Sequence, residues 1–440
     1  VSPELPSLDL GSEIDQRNGG SNFQAARQNY FGRLSYSYKN RYLVELTSRY
    51  DGSQNFPPGS RFGFFPGASV GWKISEEPSF KISWISNLKL RASVGILGND
   101  RIAPFQYLQN YDVRSFTELV RGTGGYVEWY NRNVFGENKQ VTQGLYPSSV
   151  PNPNVTWESA TKANVAIDLS LFDGKFDFSA DFFYDRREDI LLPRLASVPE
   201  YAGFQLPDEN LGIVNNKGFE VAMAYNNKVG DFNYFVNGQI SYARNQIEFM
   251  DEAKDTPLWQ RRTGQSIDFI SGYQADGIYQ NQAEIDASAH LPDAIPGDIK
   301  FKDIKEDGVI DAKDIAFSFL SPTPRYIYSF ELGGSWKGLS LSAFFQGQLQ
   351  AETMYRPWPL NQDRAFYVDR WISDRETPNA TQPGAYGAGT NYSLGSTHWI
   401  RDNSFLRLKN VFLSYDLPDE IIKKLKIAQL RIFMNGSNLF

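Results

Sequence analysis

Seven residues between positions 303 and 314 have the spacing of a calcium-binding loop. Asp303, Lys305, Asp307, Gly308, Val309, Asp311 and Asp314 fall at positions 1, 3, 5, 6, 7, 9 and 12 of that pattern. Calcium needs oxygen ligands at alternating positions, a glycine where the chain turns sharply, and a backbone carbonyl at the seventh position. Asp303, Asp307, Asp311 and Asp314 supply carboxylates, Gly308 the turn and Val309 the carbonyl, so Ca2+ is the one cofactor this chain suggests. Two residues depart from the pattern. Lys305 is not a ligand, and Asp314 is shorter than the usual bidentate glutamate. The plainer reading is an aspartate-rich turn in a surface loop.

A second group is aromatic. Tyr126, Trp129, Tyr130, Trp259, Tyr355, Trp358, Tyr367 and Trp371 lie in segments rich in Gly, Pro, Asn and Asp. Such rings can stack on sugars or seat the apolar side chains of a peptide. They can equally hold the loops together or contact a partner, which is the commoner role. For catalysis the residues are few. The chain has no cysteine, so thiol chemistry, thiolate zinc sites and disulfides are excluded. His290 and His398 are the two histidines, neither with a ligand set beside it in sequence. No serine, aspartate or glutamate constellation recommends itself, and an enzyme is not expected. With 44 basic against 51 acidic residues and no basic stripe, nucleic acid is not an expected partner.

The elements that must carry these residues are strands. Apolar and polar residues alternate at period two over long stretches. Tyr30, Leu34, Tyr36 and Tyr38 share one face, with Arg33, Ser35 and Ser37 on the other; after a turn at Lys39-Asn40 the pattern resumes through Tyr42, Val44, Leu46 and Tyr50. A second hairpin joins 163–171 to 176–184 through Asp173-Gly174, and others join 219–225 to 232–242 and 326–332 to 339–349. Single strands are expected at 68–74, 88–96, 405–417 and 430–434, with a bulge near Asn410 and a short amphipathic helix over 419–426. Long connections at roughly 99–158, 186–215, 246–324 and 350–403 all leave from the same end.

No window holds about 18 consecutive apolar residues, so a membrane-spanning helix is not expected. A barrel is compatible, because its lipid-facing residues occupy every second position. A soluble β-sandwich gives the same local alternation. Strand length, aromatic residues near strand ends and one-sided loop length favour an all-β transmembrane antiparallel barrel with long extracellular loops, set in outer-membrane lipid. The lumen-facing charges Arg33, Glu45, Arg49, Lys89, Arg91, Asp168, Asp177, Asp181 and Glu220 are expected mainly to pair with one another and with whatever fills the lumen.

Several stretches resemble the SusC/RagA-type TonB-dependent transporters of Bacteroidota outer membranes. Among them are NRYLVELTSRYDGSQNF (40–56), RFGFFPGASVGWKISEE (61–77), LKLRASVGILGND (88–100), the run from 152 to 192, PGDIKFKDIKEDGVIDAKD (296–314), SFLRLKNVFLSYDLP (404–418) and RIFMNGSNLF (431–440), in the family's order. The resemblance implies a plugged barrel of about 22 strands. Residues 1–440 then form one partial barrel domain of about fourteen strands, the plug and TonB box lying outside it. It further implies TonB-driven import of an oligosaccharide or oligopeptide, with a SusD-like surface lipoprotein as partner. A SusC-like barrel serving as scaffold in a larger outer-membrane assembly is the alternative. The family commonly has Asn where Lys305 stands, which puts the calcium site in doubt.

Overall fold

A computed structural model describes residues 24–114, 133–135, 140–142, 144–147, 150–194, 206–317, 320–355, 369–373, 377, 379–384, 394–425 and 427–439. Its main body is one antiparallel meander of twelve strands, each hydrogen-bonded to the next along the chain. The strands are β1 (Arg27–Tyr38), β2 (Tyr42–Ser53), β3 (Phe62–Lys73), β4 (Ile85–Asn99), β5 (Glu158–Leu171) and β6 (Phe176–Leu192). They continue with β7 (Glu209–Val229), β8 (Phe232–Phe249), β9 (Tyr326–Trp336), β10 (Leu339–Leu349), β11 (Phe405–Asp416) and β12 (Arg431–Ser437). Each matches a strand expected from alternation. The sheet thus holds twelve strands among the described residues, where about fourteen were expected.

Turn chemistry sets one end of the sheet. Lys39 and Asn40 have φ of 50° and 55°, and Lys337 and Gly338 47° and 88°, while in the connection 172–175 Phe172 at 53° precedes Asp173 and Gly174 at 57° and 80°. Two successive positive φ values belong to type I′ turns, whose twist matches the flanking strands. Between β7 and β8, Gly230 at φ 60° occupies the first central position, as type II′ requires. The remaining connections at this end are 74–84 and 417–430, the latter carrying the expected helix, α1 (Asp419–Leu425). Connections at the opposite end are 54–61, 100–157, 193–208, 250–325 and 350–404. The bulge expected near Asn410 lies one residue earlier: Phe344 faces Asn410 and Phe345 faces Leu408, leaving Lys409 as the extra residue.

Register lines the alternating residues into rows. Tyr36, Val44, Val70, Ala92, Val165, Phe182, Phe219, Tyr242, Tyr326 and Leu349 stand opposite one another in succession across ten strands. Among the described residues no protein layer covers this row: Val165 is 59% and Phe182 58% exposed. An apolar face of this extent requires an apolar surrounding. The opposite face is polar, with Ser35, Glu45, Ser69, Ser93 and Asn164 forming one of its rows.

Candidate functional site

Two surfaces are built to meet something else, the polar wall and the loops above it. On the wall, strand register places oppositely charged residues side by side. Arg91 donates Nε and Nη2 to the two oxygens of Asp168 at 2.8 and 2.9 Å, and reaches Asp181 at 3.2 Å. Arg33 Nε lies 2.8 Å from Glu45, Arg49 Nε lies 3.0 Å from Asp51, and Ser170 donates to Asp177 at 2.5 Å. The expectation that wall charges pair with one another therefore holds for Arg33, Glu45, Arg91, Asp168 and Asp181. Pairing within the sheet balances opposite charges against one another, so the wall presents a polar surface of internally paired groups.

Phenylalanines also stand on this polar face, Phe65, Phe183 and Phe235 among them. The positions of Phe65, Phe183 and Phe235 are explained by glycines: a Cβ on Gly98, Gly218 or Gly333 would lie 2.0, 2.6 or 2.3 Å from the respective ring. Each ring covers bare backbone and so leaves no void between strands.

The loops 250–325 and 350–404 form one body. Short ladders join 271–273 to 315–317 and 275–278 to 299–301. Around them a small core gathers Tyr273, Ile299, Phe301 and Ile310 from the first loop with Trp399 from the second. Tyr273 and Phe301 stack with ring centroids 4.7 Å apart. Backbone bonds stitch the two loops: Tyr273 N to Gly395 O at 2.9 Å and Gly384 N to Gly297 O at 2.8 Å. His398 stands at this seam, its Nε2 3.3 Å from Gln382 Oε1. Burial, and secondarily the charge of Arg401, push its imidazole down to about 4.

Among the candidate aromatic residues, Trp371 is 8% exposed, packed with Ile278 and Ala380 and lying where a Cβ on Gly297 would fall. Trp259 donates its indole N–H to Lys313 O at 2.8 Å. Both are placed to hold the loop body together. Tyr355 is half exposed, and its amide bonds Trp399 O. Tyr126, Trp129, Tyr130, Trp358 and Tyr367 lie outside the described residues. Trp399 was not singled out from sequence. Its position beside the Ser396-Thr397 turn carries no periodic signal, and its partners are about a hundred residues away.

The Asp303–Asp314 segment forms a closed turn. Gly308 takes φ +82°, the sharp bend a calcium loop needs. Asp303 accepts from the amides of Asp307 at 3.3 Å and Gly308 at 2.7 Å. Asp314, fully buried, accepts from Ile304 and Lys305 through Oδ1 and from Asp311 through Oδ2. Asp311 in turn accepts from Lys313 N at 2.7 Å. Position 3 of the pattern is held by Lys305, whose ammonium lies on the Asp307 carboxylate. That hydrogen bond holds Asp307 below and Lys305 above their ordinary pKa values. Asp303, Asp307, Asp311, Asp314 and the Val309 carbonyl would be the ligands of a calcium ion. As they stand, the carboxylates face backbone amides and an ammonium, and among the described residues no group of three or more acidic or imidazole side chains is gathered for a metal.

The TonB dependent receptor-like β-barrel model matches residues 7–439. TonB-dependent receptor P26 of Formosa agariphila is 30% identical over 439 residues, covering 95% of this chain and 42% of that protein. TonB-dependent receptor SusC of Bacteroides thetaiotaomicron is 26% identical over 405 residues, covering 89% of this chain and 38% of SusC. The fold is similar to the structure of the RagAB peptide transporter, with TM-score 0.71 and 20% identity over 94% of this chain and 44% of that one. The chain therefore spans less than half the length of these relatives.

Proposed function

Because the chain belongs to the TonB dependent receptor-like β-barrel family, we propose that it forms part of the wall of an importer for a large nutrient, an oligosaccharide or oligopeptide. This is a transporter and receptor family rather than an enzyme class, and its setting is the bacterial outer membrane. The observation that carries the proposal is the pairing of two surfaces on one sheet. An apolar row that no described residue covers runs across ten strands, and a polar wall of paired charges backs it. Such a wall encloses a wet lumen while contacting lipid outside.

On this reading the substrate moves by rearrangement of a plug coupled to TonB, and the wall residues guide it without chemistry. A SusD-like lipoprotein would seat on the loop body at the long-loop end, as the likeness to SusC and to the RagAB transporter suggests. Tyr355 is half exposed on that body, and it would stack on sugar or peptide together with Tyr126, Trp129, Tyr130, Trp358 and Tyr367.

The test is deletion of the gene, followed by growth on a panel of polysaccharides and peptides as sole carbon source, with affinity purification of the tagged protein. Loss of growth on one polymer and co-purification of a surface lipoprotein are expected. Unchanged growth on every polymer, with the barrel recovered in a stable multi-subunit machine, would instead establish the scaffold role.

A further inference from the structure

The Asp303–Asp314 loop has most features of a calcium loop, yet at its position 3 a cation is already part of the chain. Its Asx bonds run from position 1 to the amides of positions 5 and 6, its glycine bends at positive φ, and Ile310 anchors it in the loop core. Lys305 links both halves: its amide donates to Asp314 Oδ1 at 3.1 Å, and its ammonium lies on Asp307. We propose that the Lys305 ammonium takes the place of a divalent cation, so that this loop is a metal-independent clasp.

The electrostatics run as follows. Asp303, Glu306, Asp307, Asp311 and Asp314 crowd five carboxylates into twelve residues, with Lys305 and Lys313 as the only basic side chains among them. A calcium ion would relieve their mutual repulsion, but it would have to approach an ammonium already seated on one of its ligands. With Asp307 so engaged and Asp314 satisfied by three amides, the clasp closes without a metal. Its closure matters to the rest of the loop body. Trp259 Nε1 bonds Lys313 O at 2.8 Å, and Gln260 Nε2 bonds Ala312 O and Ile315 O at 2.7 and 3.0 Å, so the stretch from 258 rests on the clasp.

Amide hydrogen exchange of residues 304–314, measured on the full-length protein in detergent with millimolar calcium or with EGTA, tests this. Wild-type exchange is expected to be the same in both. Lys305→Asn, which restores an oxygen ligand, is expected to exchange about tenfold faster in EGTA and to recover with calcium, while Lys305→Met stays fast in both. A tenfold slowing of wild-type exchange by calcium would overturn the proposal, and needs no variant to be seen. Lys305→Met exchanging as slowly as wild type in EGTA would overturn it as well.

Discussion

Trp399 has no exposed surface and lies where the two long loops meet, with Tyr273, Ile299, Phe301 and Ile310 around it. Truncating a buried Trp to Ala costs about 3–5 kcal/mol through lost contacts and the void left behind. The cost falls on the loop body alone, because the sheet below keeps its own ladder. Limited proteolysis of Trp399→Ala should therefore cut within 250–325 and 350–404 while the strands resist; cleavage no faster than wild type would contradict this. His398, two residues past a buried serine, gives the loops a pH dependence. Its folded pKa of about 4 lies below the ordinary 6.5, so the unfolded loop binds a proton first. The stability it contributes is complete above pH 6.5 and is lost as pH falls toward 4. Hydrogen exchange across 394–403 should accelerate over that window in the wild type and much less in His398→Gln; equal acceleration in both would assign the effect to other groups. Sequence marked Trp371 and Trp259 as aromatic residues worth attention, but their present partners, Gly297 and Lys313 O, are set by chain folding rather than spacing.

Strands were legible where lipid imposes the pattern. All twelve follow from alternation, because a residue in the apolar band has no alternative to facing lipid or lumen. Above the band the rule lapses. The connection read as 186–215 is shorter, since β6 continues to Leu192 and β7 begins at Glu209. Arg186, Arg187, Glu188 and Asp189 interrupt the alternation there, and Asp189 takes φ 58° where the register shifts. In water the backbone ladder needs no apolar face, so charged residues can extend it. At 21 residues β7 is about twice the length a crossing requires. Glycines within the band provide a test. A Cβ on Gly218 would lie 1.9 Å from the backbone oxygen of Tyr242, so β7 and β8 would have to separate. Gly218→Ala should lose most of the folded, heat-modifiable species on electrophoresis. Gly98→Ala has a side chain, the Phe65 ring, as its nearest obstacle rather than backbone and should lose less. Arg91→Met leaves Asp168 and Asp181, diagonal neighbours on the wall, without the guanidinium they share and should cost about 1 kcal/mol of barrel stability in denaturant titration, the partners being part-exposed. No change in midpoint would show that the ion pair adds nothing.

At the scale of the whole molecule, one sheet with two unlike faces accounts for the composition. A mean hydropathy of -0.45 alongside 15% aromatic residues is what results when every second side chain faces lipid. The same arrangement explains why no helix among the described residues is long and apolar enough to cross a membrane. These 440 residues contain no cysteine, so single cysteines bearing a nitroxide can be placed along β2 and β5 in the membrane-reconstituted protein. Val44 and Val165 belong to the apolar row, while their neighbours Glu45 and Asn164 belong to the polar wall. Labels at 44 and 165 should collide with oxygen dissolved in the bilayer and be shielded from a water-soluble nickel chelate, while labels at 45 and 164 should show low oxygen accessibility. Nickel accessibility at 44 and 165 as high as in bulk water would contradict the outer-membrane barrel.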